Sequence, residues 1–158
     1  MLTEWLQALH DWELSALIRR SVYVYPFVNA AHIFGLILLI GAILPADLRV
    51  LGLFRGIVIA PFLRLMTSIS AIGLALAIAS GFLLFSVQPL EYAGNRAFLT
   101  KISLVAVGAI LALAVRFSGS WRVLLATGDV VPALRVAALF SMAIWIGALI
   151  AGRWIAFL

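Results

Sequence analysis

The 158-residue chain contains no cysteine. That excludes disulfide frameworks, thiolate metal sites, iron–sulfur clusters and cysteine nucleophiles. Charge is scarce: charged residues make up 11% of the chain, against about 25% in an average soluble domain. No Asp or Glu falls inside the long apolar runs as the sequence delimits them. A proton-coupled transporter commonly places a carboxylate there, so that class is disfavoured. No glycine-rich phosphate loop, serine or cysteine triad, or zinc-protease helix is present. The basic residues are scattered, so nothing forms a nucleic-acid footprint.

What fills the chain is apolar. Hydrophobic residues make up 66% of it, and the mean hydropathy is +1.22. A soluble globular domain and a disordered chain are both ruled out; an integral membrane protein is expected. The formal net charge is +5, in keeping with arginines that face anionic headgroups.

Four apolar runs cover 22–44, 61–87, 99–115 and 133–158. Each meets or nearly meets the ~20 residues that cross a ~30 Å hydrocarbon core. Backbone polar groups in lipid must pair internally, which leaves helices or a closed barrel. Barrel strands alternate apolar and polar residues. These runs do not, so helices are expected. The first run lacks a short basic start and a small-residue cleavage pattern, and reads as a retained span.

Residues 1–18 read as a separate short helix. Leu2, Leu6, Leu9, Ala16 and Leu17 fall near one face, with Trp5 and Trp12 beside it. This segment is too short and too charged to span, and suits the membrane interface. The expected organisation is an amphipathic interfacial helix over 1–18 and a transmembrane domain over 19–158. Short connections predict sequential antiparallel neighbours, hence an all-α, four-helix, up-down bundle. Small residues at four-residue spacing predict close helix approach: Ala31 and Gly35, then Gly73, Ala77 and Gly81, then Gly108 and Ala112, then Ala148 and Gly152.

Orientation follows from the cations near the span ends. Arg49, Arg55, Arg64, Arg116, Arg122 and Arg135 flank one side. Arg19, Arg20, Arg96 and Lys101 flank the other, with Arg153 inside the last span. The bias places the first side in the cytoplasm and both termini outside.

Ionisable groups within spans cost free energy and each needs a reason. His32 lies about ten residues into the first run, ~15 Å deep. Asn29 and Tyr25 precede it by three and seven positions and share its face. His32 suits a haem or copper ligand, a proton carrier, a quinone partner, or a neutral histidine bonded to another helix. Lys101 and Arg153 come from the same side of the membrane. They either converge on His32 or snorkel to headgroups. His32, Asn29, Tyr25, Arg153 and Lys101 are therefore the ligand-binding candidates. Asp47 and Arg49 are two positions apart, do not share a helical face, and read as structural charges that pair separately at the rim. Only His32 with Met142 offers a metal pair at comparable depth.

The stretch Tyr25-Pro-Phe-Val-Asn29-Ala-Ala-His32-Ile-Phe-Gly35, then Gly41, then Asp47-Leu-Arg49-Val-Leu-Gly52, resembles a family of small uncharacterised bacterial inner-membrane proteins. The ending Gly152-Arg153-Trp-Ile-Ala-Phe157 is similar to that family's C-terminal signature. A more distant similarity runs to copper-resistance D-type membrane domains. The further intramembrane histidines of a cytochrome b561-like protein are missing here. The resemblance implies a bacterial inner-membrane location, where the arginine bias makes both termini periplasmic, and singles out His32, Asp47, Arg49 and Arg153. No catalytic set is visible. The expected role is a small membrane subunit or anchor that contacts lipid, docks with another protein or a second copy, and binds no nucleic acid. The alternative is a redox or metal module that holds haem, quinone or copper near His32 and Arg153.

Overall fold

The computed structural model describes residues 1–157, with the side chains of Leu2 and Ala156 left aside. Leu158, at the end of the fourth apolar run, lies outside the described residues. The described residues are helical throughout, without a strand: α1 (Leu2–His10), α2 (Glu13–Arg20), α3 (Val24–Val50), α4 (Ile59–Val87), α5 (Pro89–Gly94), α6 (Arg96–Phe117), α7 (Gly119–Thr127), α8 (Pro132–Trp154) and a closing 3₁₀ turn (Ile155–Phe157). Four of them, α3, α4, α6 and α8, are long and apolar enough to cross a membrane. The chain is an all-α, multi-pass integral membrane protein built on a four-helix bundle.

The N-terminal segment forms two helices, not one. The break falls at Asp11–Trp12, and the Ser15 hydroxyl of α2 donates back to the Leu9 carbonyl at 2.9 Å. Arg19 then fastens the segment to the bundle by donating to the Val87 carbonyl at the end of α4.

α3 runs six residues past the expected boundary. Pro45 falls inside it, where its ring crowds the carbonyl four residues earlier and it lacks an N–H. Helices in membranes tolerate this when neighbours re-satisfy the backbone. The helix continues through Pro45 to Val50, with Ala42, Ala46, Asp47 and Val50 buried. The expectation that no carboxylate lies within a span is therefore corrected: Asp47 sits inside α3, turned inward.

The small residues let α3 and α4 meet backbone to backbone, antiparallel. A Cβ on Gly35 would stand 2.7 Å from the Ala77 nitrogen and 3.0 Å from the Gly73 carbonyl oxygen. α6 and α8 form a second antiparallel pair. There Gly108 takes the Trp145 ring, whose nearest atom would be 3.0 Å from an added Cβ. α8 also packs on α3 and so joins the pairs.

The two middle spans behave differently from the sequential-neighbour expectation. Among the described residues α4 and α6 make no backbone approach to one another. The bundle is a row, α4–α3–α8–α6, and its end members stay apart. At one end of the gap lies α7, within a connection that the sequence reads as a plain loop. Ser118 caps its start by accepting from the Trp121 amide at 3.1 Å, and Gly128 ends it at φ +84°. Its Trp121 and Leu124 complete an apolar core with Ala46, Leu63, Leu134 and Ala138.

Candidate functional site

His32 faces α4. Its Nδ1 lies 2.9 Å from the Ala77 carbonyl oxygen and 3.2 Å from the Ser80 hydroxyl. A carbonyl can only accept, so Nδ1 carries the proton and donates. Gly81 leaves room for the ring: a Cβ there would come 3.0 Å from His32 Cε1. The geometry is that of a histidine bound to a neighbouring helix. Glutamine retains a donor for Ala77, and interhelical hydrogen bonds in membranes average ~0.6 kcal/mol. His32→Gln is therefore expected to shift stability by less than about 1 kcal/mol, as read from thermal unfolding in detergent. A loss of several kcal/mol would show that the ring does more than bridge two helices.

The other candidates on that side scatter. Tyr25 and Asn29 share the helical stripe but are exposed, close to the start of α3. Polar groups at that depth reach the headgroup region. Arg153 is exposed, and its guanidinium lies 4.9 Å from the Phe157 ring centroid, a cation–π contact. Lys101 is half-buried. Its stem crosses Gly152, and it stands near enough to His32 for their charges to interact. Among the described residues no three of His, Asp and Glu gather as a metal would need. Met142 directly follows Ser141, which faces Asp47. Asp47 lies fifteen residues along α3 from His32, about 22 Å down the axis. The structure does not bring His32 and Met142 together.

Arg49 and Asp47 do part, as the spacing requires. Arg49 turns out of the bundle and donates from Nε and Nη2 to the Ile57 carbonyl at 3.1 and 3.0 Å. This closes the α3–α4 connection on itself. Asp47 goes the other way and is only 8% exposed.

Asp47 lines a cavity of about 240 Å³. All four spans contribute: Leu39 and Asp47 from α3, Thr67 and Ser70 from α4, Ala112 and Arg116 from α6, and Ser141 and Trp145 from α8, with Trp121 of α7 at one end. An engineered apolar cavity of ~150 Å³ takes up a benzene, so this one has room for a ring or a length of chain. It lies along the gap between α4 and α6. Ala71 and Ala112 line it from the two sides, and both remain exposed. The opening is therefore lateral, toward the hydrocarbon.

The walls are apolar except for a few placed groups. Thr67 donates to the Leu63 carbonyl at 2.7 Å and Ser70 to the Thr67 carbonyl at 3.0 Å. Their protons are spent on their own helix, as is usual for hydroxyls there. Two buried atoms have no partner among the described residues: Asp47 Oδ2 and Trp145 Nε1. Buried polar atoms are nearly always paired, so two orphans on residues that line one cavity mark it out.

No family model, curated protein or solved structure matches this chain. The site therefore stands on its own geometry. Sequence reading reached Asp47 but not Ser141, Trp145, Arg116 or Trp121. One signal was there: Leu39, Ile43, Ala46, Asp47 and Val50 continue a single helical face across Pro45.

Proposed function

We propose that this small integral membrane protein is a binding module that takes a lipid-soluble amphiphile from the bilayer into the cavity between α4 and α6. The carrying observation is the pair of unpartnered buried atoms, Asp47 Oδ2 and Trp145 Nε1, on two residues that line a cavity open toward lipid. Ligand sites are mostly apolar concavities with a few placed polar groups, and this one fits that description. Of the Asp47-Leu-Arg49 stretch that carries the family resemblance, Asp47 falls on its wall.

A docking subunit would meet its partner through the outer faces of the spans. Those faces carry large apolar side chains on every helix, among them Phe34, Ile72, Ile110 and Phe140, and none is set apart. The redox or metal reading draws less support from the geometry. His32 Nδ1 donates to α4 and leaves Nε2 free, but among the described residues no cluster of His, Asp and Glu gathers for a metal, and Arg153 lies on Phe157. The bacterial inner membrane, with both termini periplasmic, is the proposed setting. The arginine bias of the loops supports that orientation.

Native mass spectrometry of the protein released from mild detergent tests the reading. The wild type is expected to carry an adduct of lipid mass. Ala112→Trp fills the cavity from an exposed position on α6, and is expected to remove most of that adduct while the protein stays folded. An adduct retained in full by Ala112→Trp, or missing from the wild type, overturns the proposal.

A further inference from the structure

We infer that the cavity selects a neutral amphiphile whose polar end carries hydroxyl groups, an aliphatic alcohol or a phenol. This rests on the binding role proposed above and specifies the chemistry of the ligand head.

The inference follows from what the polar atoms of the cavity can accept and give. The Ser141 hydroxyl faces the Asp47 carboxyl, but Asp47 Oδ2 remains a buried acceptor without a donor. Thr67 and Ser70 have turned their protons to backbone carbonyls, so toward the cavity they offer lone pairs only. Trp145 Nε1 is a donor and nothing else, and it lacks an acceptor. Asp47 and Trp145 are themselves only 8% and 2% exposed. A head that suits the site must donate to Asp47 and accept from Trp145. Hydroxyl groups do both.

The charged alternatives each fail on one side. An ammonium donates to Asp47, but it cannot accept from Trp145 and shares the cavity with the Arg116 guanidinium. A carboxylate or phosphate accepts from Trp145 and suits Arg116, but it cannot donate to Asp47 and lies in the same cavity as that carboxyl. A hydrocarbon without a head leaves both atoms unpaired, and each orphaned polar group carries its full desolvation cost. The lateral gap between α4 and α6 lets the tail stay in the hydrocarbon while the head occupies the cavity. The Trp121 and Trp145 indoles in its lining also suit an aromatic hydroxyl.

The test uses the full chain in phosphatidylcholine nanodiscs and a twelve-carbon alcohol with a diazirine in its tail. Crosslinked peptides are mapped by mass spectrometry. Dodecanol, decylhydroquinone, dodecylammonium, dodecanoate and dodecane compete at equal bilayer concentration. Labelling is expected on peptides containing Ala71 and Ala112. The two hydroxyl competitors are expected to displace it at least tenfold better than the other three, and their ranking separates aliphatic from aromatic heads. Asp47→Asn, which keeps the side chain's shape, and Trp145→Phe, which removes the indole N–H, are each expected to weaken the labelling by about tenfold. Equal displacement by all five compounds would overturn the head selection while leaving the cavity occupied. Preferential displacement by dodecylammonium or dodecanoate would overturn it in favour of a charged head. Absence of label from the cavity peptides would overturn the binding role itself.

Discussion

Gly73→Ala is expected to destabilise the bundle severely, and Gly73→Val more so. A Cβ at Gly73 would meet the Leu39 amide nitrogen in outright overlap and the Gly35 carbonyl oxygen at 2.8 Å. Both obstacles are backbone atoms, which no rotamer change can move aside. α3 and α4 would have to separate along their whole contact, which is the most extensive between any two helices here. Overpacking a well-filled core costs about 1–3 kcal/mol and occasionally more. In lipid the loss falls on the close van der Waals packing that holds helices together. The valine variant should therefore lie at or beyond the upper end of that range. Gly41→Ala is the control on the same pair. It meets nothing within 4 Å, and alanine is the better helix former by about 1 kcal/mol. Thermal unfolding in detergent should show Gly41→Ala at or above the wild type and both Gly73 variants well below it. Equal midpoints would mean that the α3–α4 contact is looser than these distances describe.

Asp47→Leu is expected to do the opposite and make the protein more stable. An unpartnered polar group in an apolar interior costs about 1–3 kcal/mol in protein mutational series. Leucine removes the orphaned Oδ2 and fills part of the cavity. A gain of that size should appear as a higher unfolding midpoint, with adduct and crosslink both lost. Such a stabilising loss of function is expected where a site is kept at the expense of stability. If Asp47→Leu instead lowers stability by more than about 1 kcal/mol, the carboxyl is part of the structural framework, and its cavity is not a binding site.

Most of the fold was legible because it depends on length and hydropathy. Spans 61–87 and 99–115 agree with α4 and α6 to within three residues at every end. Glycine spacing announced the α3–α4 contact, since small residues on one stripe have few other uses in lipid. The first run, bounded at residue 44, hid the last turns of α3 and placed Asp47 at the rim. α7 was missed although Ser118 and Gly128 are ordinary helix-boundary residues, because nine residues of mixed polarity carry little periodicity. The row order of the spans was beyond sequence reading altogether. Short connections fix which helices follow one another, yet α8 packs on α3, its partner from the far end of the chain. For the same reason the cavity was unreadable. Its walls come from all four spans, and its two orphaned atoms lie 98 positions apart, at Asp47 and Trp145.

That row order has a bearing on how the chain is made. α3 and α4 form a hairpin of neighbours, so their contact is available as soon as the second span leaves the ribosome. α6 and α8 likewise form late but locally. The seam between α3 and α8 also waits for the final span, and it joins the first span to the last. Until α8 enters the bilayer, Asp47 faces lipid or the insertion machinery without Ser141 opposite it, at a depth where a bare carboxyl is costly. The cavity is therefore completed only by the last span, which brings Ser141 and Trp145 to it.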